Sequence, residues 1–90
     1  MLETTVRLTN RLGLHARAAA QLVRLANRYK SSIVIKRLDT AVTANAKSIL
    51  SVLSVAASFG VELSVIADGE DETEAIRQIE QLFANKFGED

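Results

Sequence analysis

The sequence predicts one α+β domain over residues 1–90, with elements in the order β-α-β-β-α-β-α and helices packed on one face of a mixed or antiparallel sheet. Three observations predict it. Apolar side chains alternate every second residue in the first and last strand candidates. They recur at i, i+3, i+4 and i+7 in the helix candidates. The connections are short, and one has the scale of a hairpin. Periodicity leaves the order of strands in the sheet open.

The first strand is carried by Leu2, Thr4, Val6 and Leu8, which alternate with Glu3, Thr5, Arg7 and Thr9. Asn10-Arg11-Leu12-Gly13 breaks that pattern. From Ala16 the period becomes helical through Ala19, Leu22, Val23 and Ala26, and Asn27, Arg28 and Lys30 lie where positive charge suits a helix C-terminus. Ser32–Lys36 is a β-branched run and reads as a second strand. Leu38-Asp39-Thr40 is expected to turn into a weak third strand, Ala41–Thr43. Ala46, Ile49, Leu50 and Leu53 restore helical spacing up to Phe59-Gly60. Val61, Leu63, Val65 and Ala67 form the fourth strand, and Asp68-Gly69 is a turn signal. Asp71 and Glu74 have capping-box spacing. The last helix then places Ala75, Ile76, Ile79, Leu82, Phe83 and Phe87 on one face.

Composition excludes several function classes. Eleven basic and eleven acidic residues cancel, so no broad field points to nucleic acid or an anionic membrane surface. Four aromatic residues, Tyr29, Phe59, Phe83 and Phe87, make a poor base-stacking platform. One His and no Cys argue against a zinc site, so no metal is expected. No apolar run approaches the roughly 18 residues of a membrane span, and Met1–Thr5 lacks the features of a signal peptide. The cytoplasm is the expected compartment, with no membrane insertion.

Among the chemistry-bearing residues, His15 is the most informative. It lies in Gly13-Leu14-His15-Ala16-Arg17, between a strand and a helix. A helix start presents unpaired N–H groups and the positive end of the helix dipole, which together attract anions. An imidazole there can hold a transferred phosphoryl group against the backbone N–H groups of Ala16 and Arg17. The Arg17 side chain can add a charge-assisted contact, and Gly13 permits a tight turn. Spacing alone also describes a solvated surface histidine, and by itself favours that plainer reading. Ser48 stands near another helix start, where a phosphate is tolerated, though spacing alone favours a plain capping or solvated serine. The helix after it is apolar nearly all round, through Ile49, Leu50, Val52, Leu53 and Val55. One helix cannot bury every side against one sheet, so part of this surface is expected to be exposed and to meet a protein partner.

Taken together, two segments resemble a known family. Gly13-Leu14-His15-Ala16-Arg17 is similar to the active-site motif of HPr, the histidine-containing phosphocarrier of the phosphoenolpyruvate-dependent phosphotransferase system. Lys47-Ser48-Ile49-Leu50-Ser51-Val52-Leu53-Ser54-Val55 is similar to that family's second motif, around its regulatory serine. The motifs fall in the right order at about the right separation, and the element order matches along the whole chain. The resemblance implies an open-faced sandwich with a four-stranded antiparallel sheet and three helices on one face. It implies that His15 accepts a phosphoryl group at Nδ1 from enzyme I and passes it to a IIA domain or related acceptor, assisted by Arg17. It implies that Ser48 is the site of an HPr kinase/phosphorylase, and that Ala20, Arg24, Ile49, Leu50 and Leu53 belong to the docking patch. No cofactor is implied, the chain is a carrier with no enzymatic turnover of its own, and a monomer suits a shuttle.

Three departures from the family pattern stand out. Ala18 replaces the Pro usually found after the active-site Arg, at a cost of about 0.4–1 kcal/mol of preorganisation. Extra residues fall near Leu38–Ala44. Ala56 stands where Gly commonly ends the second helix, so that helix is expected to run further. A second function fits the same fold: a regulatory docking module of nitrogen or carbon control, acting through Ile49, Leu50 and Leu53 with Ser48 as its switch. The pairing of His15 with Arg17 favours the carrier, because a pure docking module needs neither. An unrelated small ligand-binding domain is disfavoured, since 90 residues give no argument for a ligand-sized pocket.

Overall fold

The computed structural model describes residues 1–89. The elements are β1 (Leu2–Arg7), α1 (Ala16–Ala26), β2 (Ser32–Arg37), β3 (Thr43–Asn45), α2 (Ile49–Ser54), β4 (Glu62–Asp68) and α3 (Glu72–Ala84), followed by a 3-10 turn at Lys86–Gly88. The strands form one sheet in the order β1-β4-β2-β3, and every pairing is antiparallel. The register sets Val6 opposite Leu63 and Ile35 opposite Val65, so these side chains share one face. That face is buried, with Ile33, Ala44 and Ala67, against Leu22, Val52, Ile79 and Phe83 of the three helices. Alternation was legible in β1 and β4 for this reason: a sheet covered on one side buries every second residue. Glu3, Thr5, Arg7, Val34 and Lys36 lie on the uncovered face.

Four local expectations are corrected. The third strand lies two residues later than its alternation suggested, because Ala41 turns the chain at φ 63° and its N–H bonds the Arg37 carbonyl. The second helix starts at Ile49, leaving Ala46 buried ahead of it with its N–H on the Ile33 carbonyl. Its end falls at Ser54 and does not extend past Ala56. Ala56 takes φ 53°, the left-handed conformation a Gly would adopt there. The Arg37 guanidinium donates to the Val55 and Ala56 carbonyls, at 3.1 Å each, and closes that end. Finally, Asp71 makes no capping bond to α3. Its carboxylate accepts hydrogen bonds from the N–H groups of Lys30 and Ser31 and from the Ser31 hydroxyl, while Glu72 reaches back to the Gly69 N–H.

Phe87 is buried as its pattern required, but it lies beyond the helix. α3 stops at Ala84, and Lys86, Phe87 and Gly88 all take positive φ. The Phe87 ring packs edge-on against Phe83, with centroids 4.9 Å apart. No helix among the described residues is long and apolar enough to cross a membrane.

Candidate phosphoryl site

The loop between β1 and α1 is fixed by its backbone. The Gly13 N–H returns to the Asn10 carbonyl at 3.1 Å, and the Leu14 N–H donates to the Ala57 carbonyl at 2.9 Å. Gly13 has φ 66°, and a Cβ on it would lie 2.7 Å from the Ala57 carbonyl oxygen and from the Ser58 Cα. Leu14 is buried. The chain therefore crosses the loop after α2 at close range and delivers His15 to the first turn of α1.

His15 is the N-cap residue, with extended backbone at φ −78°, ψ 179° and no side-chain bond to the helix. The first helical bond runs from the Ala19 N–H to the His15 carbonyl. The N–H groups of Ala16, Arg17 and Ala18 thus precede any intrahelical acceptor and form the open anion-attracting end. Ala18 contributes one N–H more than the usual Pro would. Its side chain is fully buried.

The His15 ring is partly exposed and makes two contacts, both through Nε2. These run to the Glu89 carboxylate at 2.9 and 3.1 Å. Nδ1 has no hydrogen-bond partner among the described residues. Asn10, wholly buried, donates from Nδ2 to Glu89 at 2.8 Å and to the Gly13 carbonyl at 2.8 Å. The Asn10 amide, then the His15 ring, hold the Glu89 carboxyl below its ordinary value. Arg17 is exposed, lines a shallow groove with Arg11, Leu12 and Glu89, and adds its positive charge to the field on Glu89.

The residues singled out from sequence are distributed over two helices. His15, Ala16 and Arg17 share the start of α1, with half-buried Ala20 and exposed Arg24 further along it. Arg24 lines a groove with Gln21, Arg28 and Gln78 between α1 and α3. Ser48 caps α2, its hydroxyl accepting from the Ser51 N–H at 3.4 Å. Val52 and Val55 are buried, whereas Ile49, Leu50 and Leu53 are exposed, Leu50 at 78%. The apolar surface inferred for this helix is thus present. Asn10 and Glu89 were missed by sequence reasoning. Glu89 lies 74 residues from His15 and no motif links them. Among the described residues, no group of three His, Cys, Asp or Glu side chains converges as a metal site requires.

A family model described as the HPr component phosphorylation site of the phosphotransferase system matches residues 2–85. The chain belongs to the HPr family. The phosphocarrier role in that system comes with membership, as does interaction with enzyme I and IIA components. Among HPr proteins, the chain is similar to the phosphocarrier protein HPr of Treponema pallidum, at 48% identity over all of both chains. The HPr of Xylella fastidiosa is 44% identical over all of this chain and 99% of its own. A crystal structure of HPr from Thermoanaerobacter tengcongensis superposes with a TM-score of 0.92 at 39% identity, covering 100% of this chain and 99% of that one. The open sheet with three helices is the HPr architecture.

Proposed function

We propose that His15 is the phosphoryl carrier, taking its cargo at Nδ1 from the phosphohistidine of enzyme I and releasing it to a IIA-type acceptor. The observation that carries this reading is the position of the ring. It caps a helix whose first N–H groups, on Ala16, Arg17 and Ala18, have no acceptor among the described residues, where Nδ1 is likewise unpartnered. Phosphoryl transfer needs positioning and neutralisation of oxygen charge more than covalent machinery. The backbone donors and the exposed guanidinium of Arg17 supply both, and a partly exposed ring lets cargo leave as readily as it arrives. The carrier works as a cytoplasmic monomer, and its partners complete each active site.

Ser48 is the regulatory phosphosite in this reading, and Ile49, Leu50 and Leu53, with Ala20 and Arg24, form the docking surface. Exposed apolar side chains beside a helix-capping serine support it. A phosphate there would add charge next to the surface a partner must cover.

Intact-mass measurement after incubation with enzyme I and phosphoenolpyruvate tests the proposal. One acid-labile phosphoryl adduct is expected, absent from His15→Ala. ATP and an HPr kinase should add a second, acid-stable adduct that Ser48→Ala removes. An unmodified wild-type mass with several enzyme I proteins would refute the carrier assignment.

A further inference from the structure

The segment after α3 is built at visible conformational expense. Three consecutive residues, Lys86, Phe87 and Gly88, take left-handed backbone. The Phe87 ring anchors the segment in the core, the Gln21 side chain donates to its carbonyl at 3.0 Å, and the Gly88 N–H returns to Asn85. The outcome of this path is one placement: the Glu89 carboxylate over Nε2 of His15. Strained backbone that is over-determined by its surroundings tends to collect at functional sites.

The support behind Glu89 is similarly costly. Asn10 is wholly buried, and both N–H bonds of its amide are committed, to Glu89 and to Gly13. Its Oδ1 is buried with no hydrogen-bond partner among the described residues. The reverse amide orientation would aim that oxygen at a carbonyl and a carboxylate, so the acceptors fix the amide as it stands.

We infer that Asn10 and Glu89 are positioning residues that hold His15 in the tautomer protonated at Nε2, and so make Nδ1 the nitrogen that accepts phosphorus. The inference rests on the carrier reading of His15. An ionised carboxylate only accepts hydrogen bonds, so Nε2 must bring the proton, and the neutral ring keeps its lone pair on Nδ1. In transfer, the Nδ1 lone pair forms the new N–P bond as the N–P bond of the donor phosphohistidine breaks, its electron pair returning to the donor nitrogen. The His15 ring becomes positively charged and keeps its Nε2 proton. Glu89 faces that charge, and no proton needs to leave during the step. A carboxylate orienting an imidazole in this way is a general device for fixing which nitrogen reacts.

The test combines nitrogen-15 NMR of the His15 ring, at a pH where the ring is neutral, with the rate of phosphoryl transfer from enzyme I. The wild type is expected to show essentially one tautomer, protonated at Nε2. Glu89→Ala should populate the Nδ1-protonated form and slow transfer about tenfold or more, since a misplaced reacting group loses rate steeply. Glu89→Gln keeps an acceptor oxygen without the charge, so it should retain most of the tautomer preference at an intermediate rate. Asn10→Ala should shift the tautomer in the same direction, less strongly. Thermal melts identify any variant that has lost its fold, and Glu89, partly exposed, is the change best tolerated. An unchanged tautomer in Glu89→Ala would overturn the inference. A shifted tautomer with unchanged transfer would remove its part in the reaction. Absence of any wild-type phosphorylation would sink the carrier reading instead, and the NMR comparison would still decide the tautomer.

Discussion

Gly13 shows how one residue controls the placement of the His15 ring two positions away. Its φ of 66° and the 2.7 Å approach a Cβ would make to the Ala57 carbonyl leave no room for any side chain. Gly13→Ala should therefore destabilise the fold by about 2 kcal/mol or more, combining backbone strain with a backbone clash. Denaturant unfolding checks this value. Because relief of the clash must move the loop, the phosphorylation rate of the folded fraction should fall as well. The position of His15 and Arg17 at a helix start was legible in the sequence through a five-residue motif, since that helix start is local. Glu89 and Asn10 were not. Their contact depends on a chain path through left-handed Lys86 and Phe87, which no propensity rule assigns to a Lys or a Phe.

Among the elements, legibility followed how much of the pattern was set locally. β1, β4 and α1 could be read because their buried residues fall at the expected period: Val6 in β1, Leu63, Val65 and Ala67 in β4, and Ala19, Leu22 and Ala26 in α1. β3 has three residues, too few for a period, and its position follows from the turn at Ala41. The end of α2 was unreadable for a different reason: its last carbonyls are capped by Arg37, from another strand. Arg37 is itself held by Asp39, two residues further along the chain. Ala56 bears the strain of this ending. Ala56→Gly should stabilise the protein by about 0.5–1 kcal/mol, the left-handed penalty of an L residue less the entropy a Gly loses on folding. A rise in Tm of several degrees would report it for a domain of this size, and a fall would show that the side chain of Ala56 contributes more than its conformation costs.

For the molecule as a whole, acid sensitivity follows from one carboxylate that joins two layers. Asp71, at the start of α3, binds the link between α1 and β2, and the Ser31 hydroxyl and the Lys30 N–H lower its pKa from 3.8 to about 2. A carboxyl with a depressed folded value favours folding above its unfolded value and loses that contribution as pH falls through the folded one. Stability should thus decline between about pH 4 and pH 2. Asp71→Asn should be less stable at neutral pH and flatter across that window, because Asn lacks the titration. Urea midpoints against pH for both proteins check this, and parallel curves would contradict it. Glu72 and Glu89 are shifted in the same direction and persist in the variant, so some slope remains. The sheet order has a consequence in time. β1 and β2 never bond each other; both pair with β4, and the loop bearing His15 leans on Ala57 and Val61 through Leu14 and Leu8. Pairings so distant in sequence form late. A chain emerging from the ribosome therefore leaves β1 without its strand partner until β4 has been synthesised.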